Sequence, residues 1–218
     1  SMKFVKELGD KLSIKLGIVT GDNKFFLANE KKLLENNIPI NGIDYIISSL
    51  KYSKGIKYDI QEHLKNIELD MPGYILSLNE SKSDSNLIEY FSKYPKDKLD
   101  SNYTFKKRKS WCTPNDGKIP DAFLVAMSRQ GPRIVLNEAR INCTNTIYRA
   151  DFLESEVSDL EKKLISVSLL TSFSQLSAEF NGRRFGANVL KLEPSEMKKI
   201  KLIVPQIFDN KELLESEG

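Results

Sequence analysis

Apolar and polar positions alternate in short runs along most of the chain, with one longer periodic segment near its end. In residues 15–27 (KLGIVTGDNKFFL) two β-favouring runs flank Gly21-Asp22-Asn23, and the segment reads as strand, turn, strand. Asn29 stands where it can cap a short helix over EKKLLENN, which stops before Pro39. Residues 42–50 fit a strand or a short helix, because their period does not decide. Residues 59–69 have helical spacing, and Met71-Pro72-Gly73 then turns the chain into the strand-like YILSL. The polar NESKSDSN separates this from LIEYFSKY, a helix ending at Pro95. Strands are expected over 122–127, 133–136 and 146–152, the last alternating with a period near two.

The periodic segment runs from 158 to 180. Ser158 and Glu161 form a capping-box pattern, and Asn181-Gly182 supplies a stop. Leu160, Leu164, Val167, Leu170, Phe173, Leu176 and Phe180 recur at three- and four-residue steps, which predicts one long amphipathic helix with this stripe in the core. A loop and strand follow from Arg183, a one-turn helix opens at Pro194, and residues 201–205 form a last strand. Strands and helices mix without a βαβ rhythm, so the expected class is α+β with a mixed or antiparallel sheet. The organisation expected is a strand–turn–strand at 1–30, one domain over 31–208 and a mobile acidic tail at 209–218.

Composition narrows the function classes. At 218 residues, 40% hydrophobic and 29% charged, the chain has the make-up of an ordinary globular domain. No apolar run nears the roughly 20 residues of a membrane span, and SMKFVKELGD is not a secretory signal. Ser1 before Met2 looks like the scar of a cleaved tag, which suits a piece of a longer protein. Cys112 and Cys143 form no CxxC pattern, so a reduced, cytoplasmic setting is expected. His63 is the sole histidine; it rules out a His/Cys metal cluster and is expected at a helix surface or core edge. No GxGxxG after a strand, GxxxxGK[ST], GxSxG or HExxH is present, so no self-contained catalysis, cofactor or metal is expected in this chain.

The net charge is only +3, but its distribution is uneven. All seven arginines (Arg108, Arg129, Arg133, Arg140, Arg149, Arg183 and Arg184) fall in a lysine-rich chain between 108 and 184. Arginine persists where its planar fork is needed, in bidentate contacts to guanine or phosphate. Buried ion pairs use the same fork, so a protein-interaction or structural domain with internal ion pairs is the alternative reading. In TFKKRKSW, Lys106, Lys107, Arg108 and Lys109 precede the only tryptophan. Such a turn is steered to phosphates, while Trp111 either anchors it in the core, the commoner fate, or stacks on a base. The stretch NEARINCTNT offers Asn137, Arg140, Asn142, Thr144 and Asn145, which pair with base edges or build an Asx-rich turn. GRRFG at 182–186 follows a helix C-terminus, where the dipole disfavours an anion.

Four blocks together carry a family resemblance: GIVTGDNKFF, YTFKKRKSW, PDAFLVAMSRQGPRIVLNEARINCTNTIY and AEFNGRRFGANVLKLEPSEMKKIKLIVP. In this order they resemble the C-terminal target-recognition region of gamma-class N6-adenine DNA methyltransferases of bacterial restriction–modification systems. The closing GANVLKLEPSEMKKIKLIVP is also similar to the end of recognition domains in type I specificity subunits. The resemblance implies a domain that binds double-stranded DNA beside an upstream catalytic domain, which uses S-adenosylmethionine to methylate a flipped adenine. That domain's Asn/Asp-Pro-Pro-Tyr/Phe motif is absent here, so this chain itself is expected to be non-catalytic. On this reading Lys106, Lys107, Arg108, Lys109, Arg183 and Arg184 hold the DNA backbone. Arg129, Arg133, Arg140, Asn142, Asn145 and Arg149 are the pool of base readers, all converging on one open cleft.

Overall fold

A computed structural model describes residues 4–51, 53–78, 84–125, 127–154, 157–186 and 189–204. The expected acidic tail and most of NESKSDSN lie outside the described residues. The chain opens with β1 (Val5–Glu7), a tight turn and β2 (Leu12–Leu16). Then come α1 (Asn23–Phe26), β3 (Leu27–Ala28), α2 (Glu30–Glu35) and β4 (Asp44–Ile47). β5 (Lys57–Tyr58), α3 (Ile60–Glu68) and β6 (Tyr74–Ile75) follow, and after them α4 (Ser85–Ser92), α5 (Lys96–Ser101) and α6 (Tyr103–Lys106). Five strands form the middle: β7 (Ala122–Val125), β8 (Met127–Ser128), β9 (Ile134–Asn137), β10 (Asn142–Cys143) and β11 (Ile147–Phe152). The last part is α7 (Asp159–Leu169), α8 (Ser172–Asn181), β12 (Arg183–Phe185), β13 (Val189–Lys191), α9 (Pro194–Met197) and β14 (Lys201–Ile203).

The fold is α+β, and its centre is a five-stranded sheet ordered β2-β11-β7-β9-β5, antiparallel except for the β5–β9 pair. Period-two alternation splits its side chains between two cores. Leu12, Ile14, Leu124, Ile134 and Tyr148 face Ile165, Leu169 and Ala178 of α7 and α8. Phe123, Val135 and Ile147 point the other way, onto Ile47, Leu50 and Tyr58. A second sheet, β10-β4-β6-β3, lies on that side. Beyond it, Phe26, Phe91, Tyr94 and Phe105 pack with Trp111 in an aromatic core. Trp111 meets Phe91 at 5.5 Å and Tyr94 at 5.2 Å between ring centroids, so it anchors the basic turn as the commoner fate predicts.

Local caps decide several element starts as expected. Asn29 accepts a hydrogen bond from the Lys32 amide, Asp59 from that of Glu62, and Ser158 from that of Glu161. Capping also explains a difference from the strand–turn–strand expected at 15–27. Gly21 takes φ of +87°, and Asp22 then accepts a hydrogen bond from the Phe25 amide at 3.1 Å. Residues 23–26 become a helical turn, and only Leu27–Ala28 remains a strand.

The helix expected over 158–180 is two helices. Leu170 ends the first, and the Thr171 hydroxyl accepts a hydrogen bond from the Ser174 amide to start the second. The stripe placed in the core faces outward instead: Leu160, Val167, Leu170, Phe173, Leu176 and Phe180 are exposed. What the two helices bury is Ile165, Leu169 and Ala178 together with Ser166, Ser168 and Ser174.

His63 is fully buried rather than at a surface or core edge. Its Nδ1 accepts from the Tyr58 hydroxyl at 3.0 Å, and its Nε2 donates to the Gly73 carbonyl at 3.2 Å. The Tyr58 oxygen in turn accepts from Asn66 Nδ2 at 3.0 Å. Both ring nitrogens are satisfied in one neutral tautomer, and burial lowers the imidazole pKa below its ordinary value. Burial likewise pushes the Tyr58 phenol up to about 12.

Candidate nucleic-acid interface

Register brings four strand ends to one place. Tyr148 pairs with Leu16, Ile147 with Val125, and Leu124 with Ile134, so Leu16, Val125, Ile134 and Ile147 share one end of the central sheet. A cleft of about 1060 Å³ opens there. One wall is the segment after β4, carrying Ser48, Lys51 and Lys54. The other is the turn Ser128-Arg129-Gln130 with Lys191 of β13, and Asn145 and Thr146 stand at the entry to β11. Glu193, the single carboxylate among the lining residues, is taken by Lys191 at 2.7 Å. The cleft is therefore basic and rich in amide and hydroxyl groups.

Its walls are held from behind. Arg133 donates to the Leu50 carbonyl at 2.9 Å, to the Gly55 carbonyl at 3.1 Å and to the Ser53 carbonyl. Three acceptors spread over residues 50–55 turn this guanidinium into a clamp on the loop that displays Lys51 and Lys54. Across the cleft, Gly131 takes φ of +81° to close the Arg129–Gln130 turn. A Cβ on Gly131 would meet Gln175 Oε1 at 1.7 Å, so the turn is also packed tightly on α8.

The expected site residues divide between this cleft and the architecture. Arg129 and Asn145 are exposed and line the cleft. Arg133 lines it too, but its fork is spent on the carbonyls just named. Arg149 is a correction. It is buried in β11, and Asp116 accepts from its Nη1 at 2.7 Å and its Nη2 at 3.1 Å. Burial works to raise the Asp116 carboxyl, but hydrogen bonds from Arg149 and the Lys118 amide bring it below its ordinary value. Asn142 is a second correction: it is buried, donating to Asn115 and Asp116 at 3.1 Å each. Arg140 is exposed, at φ of +53°, but follows Asn137 at the far end of the central sheet from the cleft.

Arg183 pairs with Glu196 at 3.0 Å and Arg184 with Glu179 at 2.7 Å, both on the surface of the hairpin formed by β12 and β13. In the basic turn, Lys106, Lys107 and Lys109 are exposed. Arg108 folds back, donating to the carbonyls of Trp111 and Val19. Those contacts place the turn beside the cleft, because Ile18 next to Val19 accepts a hydrogen bond from the Asn145 amide at 2.9 Å. The seven arginines thus do not converge; Arg108, Arg133 and Arg149 hold the fold together instead. Lys51, Lys54, Gln130 and Lys191 were missed by sequence reasoning, since they lie in three separate stretches that only the folded sheet brings together. Among the described residues, no cluster of three or more His, Cys, Asp or Glu could hold a metal, and no helix is long and apolar enough to cross a membrane.

The family model for the C-terminal domain of type II methyltransferase M.Eco57I matches residues 1–217, and the chain belongs to that family. Type II methyltransferase M.AccI of Acinetobacter calcoaceticus is 25% identical over 183 residues, covering 84% of this chain. The type IIG restriction endonuclease BpuSI shares the fold, with a TM-score of 0.55 over 98% of this chain at 15% identity. The chain corresponds to 34% of M.AccI and 26% of BpuSI.

Proposed function

We propose that this chain is the DNA-recognition part of a site-specific adenine-N6 methyltransferase. In this role it holds duplex DNA in the sheet-end cleft for a catalytic domain elsewhere in the same polypeptide. Family membership supports the methyltransferase context. The observation that carries the DNA reading is the cleft itself, in which Lys51, Lys54, Arg129 and Lys191 surround amide and hydroxyl groups with one carboxylate among them. Arg129, Gln130 and Asn145 line the cleft with side-chain types that pair with base edges, while the lysines suit phosphates. Lys106, Lys107 and Lys109 offer further exposed cations on the turn that Arg108 ties to the Val19 carbonyl. S-adenosylmethionine belongs to the catalytic domain on this reading, and the present residues only grip and orient the duplex.

The test is a salt titration of duplex binding followed by fluorescence anisotropy. Affinity should fall linearly with log salt, with a slope of about −0.9 for each phosphate contacted. Arg129→Ala should cost about 1–3 kcal/mol on a selected site and little on scrambled duplex. A chain with no duplex affinity at low salt would overturn the reading. The arginines alone would not have carried it, since Arg149 and Arg133 serve the fold.

A further inference from the structure

We infer that the outward apolar face of α7 and α8 is the surface on which the catalytic methyltransferase domain docks, an inference that rests on the functional reading above. The two helices carry apolar side chains on their outer face as well as their buried one. Three serines, Ser166, Ser168 and Ser174, are buried, while Leu160, Val167, Leu170, Phe173, Leu176 and Phe180 stand in solvent. Positions 160 and 167 share one face of α7, and 173, 176 and 180 share one face of α8. Phe180 is 82% exposed and Phe173 40%. With roughly 200 Å² of surface on each aromatic ring side chain, these two alone approach the few hundred Å² of apolar patch usual for a whole monomer. Ile203 of β14 is also exposed; its carbonyl accepts from the Ser168 hydroxyl, which ties that strand to α7.

Two observations choose the occupant. Family relatives devote most of their length to other parts: this chain matches 34% of M.AccI and 26% of BpuSI. The elbow between the helices is also tied to the turn that forms one wall of the cleft. Gln175 Nε2 donates to the Pro132 carbonyl at 3.0 Å and to the Leu169 carbonyl at 2.7 Å, bridging the helix junction to the turn that carries Arg129 and Gln130. A domain seated on Leu170, Phe173 and Leu176 therefore sits beside whatever the cleft holds.

The experiment uses the full polypeptide encoded by the gene that contains this sequence, with Leu176→Asp and Phe180→Asp combined. Both positions are exposed, so the variant should fold. Methyl transfer to DNA should fall by about tenfold or more, as loss of an apolar anchor does at an interface. Hydrogen exchange over 159–181 should rise in the full polypeptide, while the 218-residue chain carrying the same changes should keep its duplex affinity. Unchanged methyl transfer and unchanged exchange would overturn the docking. So would a 218-residue chain that sediments as a dimer and turns monomeric on the same substitutions, because the face would then belong to a second copy. If the unaltered polypeptide transfers no methyl group to DNA, the functional reading itself fails, and this inference with it.

Discussion

The sheet-end cleft and the basic turn before Trp111 both put a guanidinium against backbone carbonyls, yet they do so for opposite ends. In the cleft, Arg133 bonds the carbonyls of Leu50, Ser53 and Gly55, and the loop so held pushes Lys51 and Lys54 into the opening. In the turn, Arg108 bonds the carbonyls of Val19 and Trp111, and it is the aromatic core beneath that does the holding. Arg108 and Arg133 act as brackets, and lysines and amides are what the cleft bracket presents. Residue type alone therefore misplaces the site, while the groups held up by a bracket point to it.

The largest effect should come from removing the support of the turn. Phe105→Ala, at a buried ring packed on Phe26, Tyr94 and Trp111, should cost about 3–5 kcal/mol in urea unfolding. The cleft, resting on a different core, should keep its geometry in the fraction that stays folded. Arg133→Ala should cost about 2–3 kcal/mol by stranding carbonyls, and should also weaken duplex binding, because the loop carrying Lys51 and Lys54 loses its clamp. An Arg133→Ala protein that binds duplex as the parent does would erase the distinction between bracket and display.

Acid provides a third probe. The His63 pKa is lowered in the folded state, so the unfolded chain takes up the proton first. The stability that the neutral ring protects is complete above pH 6.5 and is lost as pH falls from there towards the folded value. Thermal midpoints measured from pH 8 down to pH 5 should decline across that window, and His63→Gln should flatten the decline. The smallest effect belongs to Arg184→Ala. Its pair with Glu179 is 70% exposed on the arginine side, so the change should cost about 0.5 kcal/mol or less.

Much of the fold was legible because it is written locally. Asn29, Asp59 and Ser158 each cap the helix predicted after them, and Pro194 opens the one-turn helix assigned to it. Two errors share a cause. At 23–26 the Asp22 cap outweighed the β-propensity of two phenylalanines, and at 171 a threonine cap split a helix whose hydrophobic period runs on unbroken. That period also placed its apolar stripe in the core, whereas the stripe faces outward, because a period marks a shared face and does not say which way the face points. The cleft was the least legible feature. Arg129 and Asn145 were picked out for their chemistry, but Lys54 and Lys191 lie 137 positions apart in the sequence and meet only through the register of the central sheet and the β8–β13 pair.

The packing of a half-buried Trp111 against Phe25, Phe91, Tyr94 and Phe105 has a practical corollary. As the sole indole of the chain, it makes intrinsic emission a private reporter of the aromatic lobe. Far-ultraviolet dichroism follows the whole backbone. Melting curves recorded by the two signals will coincide if the three cores open in one step, and will separate if the lobe beside the basic turn loosens ahead of the sheet.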